Sequence, residues 1–311
     1  MHYCLTCKHA LLTACFAAAP CHSNDGITQK TMEPSKGPIV NSMNKFLLTA
    51  LLVLGPCAGV QADTDAALQQ AIASPQRTPA YAARDGWRHP FETLTFFGLR
   101  PDSRVVEISP GGGWYTEILA PYLRDKGQLI LAADDPDATK PETIKSLERL
   151  KAKLAARPDW YDRVRIGVFA PPARLEYAEP GSADLVLTFR NVHNWMDQGD
   201  AGVRAVFASA YRSLKAGGVL GVVEHRLPAD KVQDATSSTG YVHQAYVTRI
   251  AQEAGFRLEA SSEINANPKD KAEHAGGVWA LPPGYANKEV DRERYQAIGE
   301  SDRMTLKFVK P

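Results

Sequence analysis

Five short apolar runs, each bounded by turn-forming residues, stand out between residues 104 and 223: RVVEI (104–108), QLILAA (128–133), RVRIGVF (163–169), ADLVLTF (183–189) and GVLGVV (218–223). Between and after them, apolar positions recur at helical spacing over 114–124, 142–156, 201–215 and 241–254. Strands alternating with helices predict an α/β fold, a parallel sheet with helices on both faces. Near-continuous apolar strands fit burial on two sides. The rhythm then changes, because GFRLEASSEI (255–264) and RMTLKFVKP (303–311) alternate like half-exposed strands with no ordinary helical crossover between them. They predict an antiparallel pair at one edge, joined by an insertion over 265–302. Residues 63–99 read as helical turns broken by Pro75, Pro79 and Pro90, an appendage ahead of the 100–311 domain.

The chain has 311 residues and a formal charge of +1, with all five cysteines (Cys4, Cys7, Cys15, Cys21 and Cys57) in its first 57 positions. A folded body without cysteine has no disulfide framework. From Met43 the sequence has Lys45, an apolar run from Phe46 to Leu54, and small residues at Val60 and Ala62. That order predicts a signal peptide over 43–62, cleaved after Ala62, and a periplasmic or secreted product. The run falls short of the ~20 residues of a membrane span, and Pro56 before Cys57 argues against lipid attachment. Residues 1–42 then read as a start called too far upstream. The remaining chain is near neutral, which calls for neither nucleic acid nor an anionic membrane as partner.

The chemistry begins at EISPGGGW (107–114), where a strand ends in a glycine-rich turn that opens a helix. Such a turn lets the backbone approach a ligand and aims free N–H groups at it, as a nucleotide-like ligand requires. Glu107 precedes the turn, and Asp134 or its neighbour Asp135 ends the next strand, where a carboxylate can accept both hydroxyl protons of a ribose. Ser109 to Tyr115 does not reproduce the Gly-x-Gly-x-x-Gly of dinucleotide-binding oxidoreductases, the rival reading.

These residues, with RDGWRHPFETLTFFGL, DLVLTFRNVHNW, LKAGGVLGVVEHR and AGFRLEASSEINANP, resemble the class I S-adenosylmethionine-dependent methyltransferases, and within them a secreted group. The resemblance spans roughly 77–311. It implies a Rossmann-like seven-stranded sheet, mostly parallel with an antiparallel C-terminal hairpin, and S-adenosyl-L-methionine as cofactor. It places the cofactor's methionine portion at Ser109, Gly111 and Gly113, with Pro110 and Gly112 between them, and its ribose at Asp134. Two departures are visible: Ser109 stands where the family commonly has glycine, and the acid lies about one position late.

Ligands of open α/β sheets bind at the carboxyl ends of the strands. There the fourth strand runs into Arg190, Asn191 and His193, and the fifth into Glu224 and His225. Arg190 and Asn191 are candidates for the cofactor's backbone or the substrate. His193 is favoured over His225 as a general base because it lies in the segment that resembles the family's substrate-facing loop. Tyr241 and His243, expected in the first turn of a helix, complete the catalytic candidates. Trp114 and Trp195 are candidate walls for a sulfonium. No pair among Glu224, His225, His193 and His243 has zinc-motif spacing, so no metal is expected unless they converge in space. The expected function is an exported methyltransferase for a small molecule. The alternatives are a non-catalytic small-molecule binding protein on the same scaffold and a metal-dependent enzyme using the strand-end histidines. The 265–302 insertion is a candidate lid.

Overall fold

The computed structural model describes residues 57–311, with side chains from 63 onward. The segment 1–42 lies outside the described residues, as does the leader reading at 43–62 apart from the backbone of 57–62.

The predicted strands form in place: β1 (Arg104–Ile108), β2 (Gln128–Ala133), β3 (Arg165–Val168), β4 (Ala183–Phe189), β5 (Leu214–His225), β6 (Arg257–Ser262) and β7 (Arg303–Val309). They make one seven-stranded sheet in the order β3-β2-β1-β4-β5-β7-β6. β1 to β5 are parallel, and β7 runs antiparallel to both β5 and β6. β5 begins four residues earlier than the apolar run suggests. Leu214 pairs with Ala183, then the register shifts and resumes at Leu185 opposite Val219. The intervening Lys-Ala-Gly-Gly is absorbed with Gly217 at φ 75°, a backbone region glycine enters without a Cβ penalty.

The helices are α1 (Cys57–Ile72), α2 (Pro79–Ala82), α3 (Asp85–Arg88), α4 (Pro90–Phe97), α5 (Thr116–Leu123), α6 (Pro141–Ala156), α7 (Pro158–Tyr161), α8 (Val192–Trp195), α9 (Gly199–Ser213), α10 (Gln244–Glu253) and α11 (Arg292–Ile298). Pro79 and Pro90 do not interrupt helices. Each opens one, at a position whose N–H would be unpaired anyway.

Successive strand residues face opposite layers. Val106, Ile108, Val186 and Val222 pack with Phe207 of α9 and Ile250 of α10. Val105, Leu131 and Leu187 pack with Leu119 of α5, Leu147 of α6, Leu68 of α1 and Phe97 of α4. Helices thus cover both faces, and the 63–99 segment contributes fully buried side chains to one layer. No helix among the described residues is long and apolar enough to cross a membrane.

Candidate active site

The strand order reverses between β1 and β4, and the crevice opens where their carboxyl ends diverge, the position ligands use in open α/β sheets. The turn after β1 is tightly wound: Ser109, Gly111 and Gly113 have φ of 52°, 57° and 78°. Ser109 therefore holds the left-handed conformation despite its side chain, a cost sustained only where surroundings over-determine it. Its N–H donates to the Ala132 carbonyl at 2.9 Å. From β4, the Asn191 amide donates to the Ile108 and Ser109 carbonyls at 3.1 and 3.4 Å. Asn191 is thus engaged in clamping the turn. Glu107 is buried and accepts the Thr116 hydroxyl at 2.7 Å. Burial pushes its carboxyl up to about 8, against the opposing pull of Thr116 and Lys153. It ties strand to helix, protonated at neutral pH.

A cavity of about 240 Å³ follows the crevice, bounded by Ser109, Pro110, Gly111, Asp134, Asn191 and Trp195. Of the two acids after β2, Asp135 is engaged, accepting Asp137 N–H at 2.9 Å and Arg174 at 2.6 Å. Asp134 makes no hydrogen bond or ion pair among the described residues and lines the cavity, where a hydroxylated ligand would meet it. An adjoining cavity of about 460 Å³ shares Gly111 and adds Tyr81, Gly112, Arg149 and Lys153. Tyr81, which strand-end reasoning does not reach, lies across the turn: its hydroxyl donates to the Gly112 carbonyl at 2.9 Å, and its carbonyl accepts Trp114 Nε1–H at 2.9 Å.

Of the two tryptophans, Trp195 borders the smaller cavity. Trp195 is nearly fully buried, packed on Phe169 and Phe207 with ring centroids 5.8 and 6.5 Å away. Trp114 is sandwiched by the guanidinium groups of Arg77 and Arg88 at 5.0 and 4.8 Å.

On the far side of the crevice, β4 and β5 bring His193, Glu224 and His225 together. His193 Nδ1 lies 3.0 Å from Glu224 Oε1. Glu224, wholly buried, also accepts the backbone N–H groups of Val192 at 2.6 Å, His193 at 3.3 Å and His225 at 2.8 Å. Both Glu224 oxygens accept backbone N–H groups, so the carboxyl group meets Nδ1 as an acceptor; in the neutral ring Nδ1 therefore carries the proton and Nε2 is the accepting nitrogen. His225 Nδ1 sits 2.5 Å from Ser301 Oγ, and the two imidazoles have centroids 5.4 Å apart. Trp279, from the insertion, sets its ring edge-on to His193 at 6.1 Å.

One potential ligand atom each from His193, Glu224 and His225 falls within a 4.8 Å group, so the convergence a metal would need is present. The chemistry around it is divided. Glu224 already accepts four hydrogen bonds, which compete with a cation, whereas burial, followed by the neighbouring His193 and Arg190, holds His225 well below the usual histidine value, in the neutral form that can ligate a metal.

Tyr241 touches this group, its ring edge-on to His225 with centroids 6.3 Å apart, and His243 does not join it. α10 starts at Gln244, one residue after His243, and Val242 forms a parallel bridge to Arg226, so both residues precede the helix. The Tyr241 hydroxyl donates to Asp270 at 2.8 Å. His243 Nε2 is 3.2 Å from the Pro228 carbonyl, beside a separate cavity of about 870 Å³.

No protein-family model matches the chain, and no curated protein matches it in sequence. Solved structures do match in fold. The chain is similar to phosphoethanolamine N-methyltransferase 2 of Haemonchus contortus in complex with S-adenosyl-L-methionine, with TM-score 0.50 and 17% identity over 79% of this chain and 56% of that one. It is also similar to a SAM-dependent methyltransferase from Aquifex aeolicus, with TM-score 0.47 and 14% identity over 79% and 98%. At such identities the likeness is one of fold. The architecture is the Rossmann-like fold of class I methyltransferases, complete with its antiparallel C-terminal hairpin.

Proposed function

We propose that the chain is an exported S-adenosylmethionine-dependent methyltransferase acting on a small molecule. One observation carries the reading: the partnerless Asp134 carboxylate and the glycine turn Ser109–Gly111 line one cavity at the switch point, where a ribose and an amino-acid portion would lie side by side. The residues present fit the cofactor. Asp134 would take its ribose hydroxyls, and the backbone of Ser109–Gly113 its amino-acid portion. When bound, the cofactor supplies a methyl group on an electron-poor sulfonium. The chain's own part is to position that group and to take a proton from the acceptor. Glu224 fixes the His193 tautomer and stabilises the imidazolium that forms when Nε2 accepts the acceptor's proton. His225 stands beside it as a neutral polar neighbour.

The export reading is supported by the Phe46–Leu54 run and by Val60 and Ala62. N-terminal sequencing of exported protein should begin at Asp63, and recovery of a form starting at Met1 would overturn it. The cofactor reading is tested by calorimetric titration with S-adenosylmethionine and with NADH, before and after chelation. Binding of NADH alone would sink it. The clustered His193, Glu224 and His225 favour one second reading, a metal-dependent enzyme. Loss of activity on chelation, restored by zinc, would establish that alternative.

A further inference from the structure

Four guanidinium groups, from Arg84, Arg88, Arg190 and Arg303, gather beside the histidines around a single buried carboxylate, Glu300. Arg84, Arg88 and Arg303 each pair with Glu300, at 2.6, 3.3 and 3.1 Å. Arg303 also donates to the Trp87 carbonyl. These contacts fasten α3 to the start of β7 and account for three of the four charges.

Arg190 is not accounted for. It follows β4 directly, three residues before His193, its backbone held at φ 62°. Its guanidinium makes no ion pair or hydrogen bond among the described residues. Arg88 is 2% exposed and its Nη1 is a buried donor without a partner. Arg88 and Arg190 thus both have donors to spare, in a region where one carboxylate is shared three ways. Burial and then the Arg190 charge push Arg88 down to about 8, and burial and then Arg303 push Arg190 down to about 10. A buried charge is costly unless paired, and a planar guanidinium fork matches a carboxylate with two parallel hydrogen bonds.

We infer that Arg190, backed by Arg88, seats a carboxylate of the methyl acceptor, so that the substrate is a small carboxylic acid whose reacting group is turned toward His193. Calling the ligand an acceptor rests on the methyltransferase reading. The anion seat itself does not. Removing the Arg190 guanidinium breaks no hydrogen bond or ion pair among the described residues and relieves Arg88 of a like charge, so Arg190→Gln should melt no lower than the wild type.

The test uses benzoate and its neutral isostere benzamide as probes, at ionic strength held constant with sodium chloride. Benzoate should raise the melting temperature of the wild-type chain more than benzamide does, and Arg190→Gln should abolish the difference, with benzoate affinity falling roughly tenfold or more by calorimetry. Equal responses to benzoate in wild type and variant, or to the two probes in the wild type, would overturn the seat. A second arm titrates S-adenosylhomocysteine and methylthioadenosine, which lacks the amino-acid portion. If Arg190→Gln weakens only the former, the arginine holds the cofactor's carboxylate and the substrate assignment falls. If neither nucleoside binds while benzoate is still preferred, the methyltransferase reading fails and the anion seat stands.

Discussion

His193 and Glu224 stand 31 positions apart in the chain, yet their side chains meet at 3.0 Å because β4 and β5 are parallel neighbours ending side by side. The carboxylate is wholly buried and braced by three backbone N–H groups, so it can hold one imidazole tautomer through repeated proton transfer. His193→Ala should leave cofactor affinity intact and lower turnover by on the order of 10²–10⁴. Glu224→Gln should lower turnover in the same direction with the melting temperature monitored alongside, since an amide cannot accept at both oxygens as the carboxylate does. Loss of cofactor binding equal to loss of turnover in His193→Ala would move His193 into the cofactor pocket.

Asp134 and Asp135 should part company under substitution. Asp134→Ala removes the acceptor facing the cavity, and leaving ligand hydroxyls unpaired costs ~1–3 kcal/mol, a ten- to hundredfold loss of S-adenosylhomocysteine affinity. Asp135→Ala breaks a solvent-screened ion pair with Arg174, which contributes little to stability, and should spare the affinity. Calorimetric titration of both variants separates the roles.

The adjacent glycines of the turn predict different failures. At Gly111 an added methyl meets nothing within 4 Å but must tolerate φ 57°. Gly111→Ala should therefore melt slightly lower, by about 1 kcal/mol, and lose cofactor affinity because the methyl enters the cavity. At Gly112 the methyl would collide with the Tyr81 hydroxyl. Gly112→Ala and Tyr81→Phe should both loosen the Tyr81 side chain from the turn, read as faster amide exchange around 81 and 112 with the sheet unchanged.

Two buried acids drive the pH dependence of stability in opposite senses. Burial raises Glu107 to about 8, so its contribution is fully present below the ordinary value of 4.5 and lost as pH rises through 8. Glu107→Gln removes that loss and should be the more stable protein at pH 9, by on the order of 1 kcal/mol or more. Glu300 behaves in reverse: burial would raise it, but Arg303, Arg88 and Arg84 hold it down to about 2. Its contribution is present above 4.5 and disappears as pH falls through 2. Glu300→Gln should destabilise at neutral pH, with the gap closing in acid. Melting temperatures from pH 3 to pH 9 check both signs.

Much of this was written locally. The apolar runs mark the strands because burial on both faces leaves little room for polar residues, and the glycine turn announces itself because its backbone angles exclude most side chains. The alternation in 255–264 and 303–311 reveals the hairpin for the same reason, one face being half wet. What sequence could not supply was relative orientation. Glu224 and His193 are joined only by strand register, and nothing local says which of Asp134 and Asp135 turns to the cavity. Tyr81 lies ahead of the first strand, beyond the reach of any strand-end rule. Tyr241 and His243 look like a helix start because the apolar spacing continues through them, while the Val242 bridge holds them extended. Ser109 shows the limit from the other side: a glycine position filled by serine, its strain offset by the clamp from Asn191.

The place of β7 has a bearing on how the chain is made. It is inserted between β5 and β6, pairing residues 303–309 with 219–225 across the whole 226–302 stretch. Loop closure over such a distance is slow, and topologies dominated by remote pairing fold slowly. Until that strand arrives, β5 and β6 expose unpaired edges and the sheet stays open. On the export reading proposed above, such a delay would keep the chain unfolded long enough to thread a translocation channel, at the cost of needing protection from aggregation while it waits.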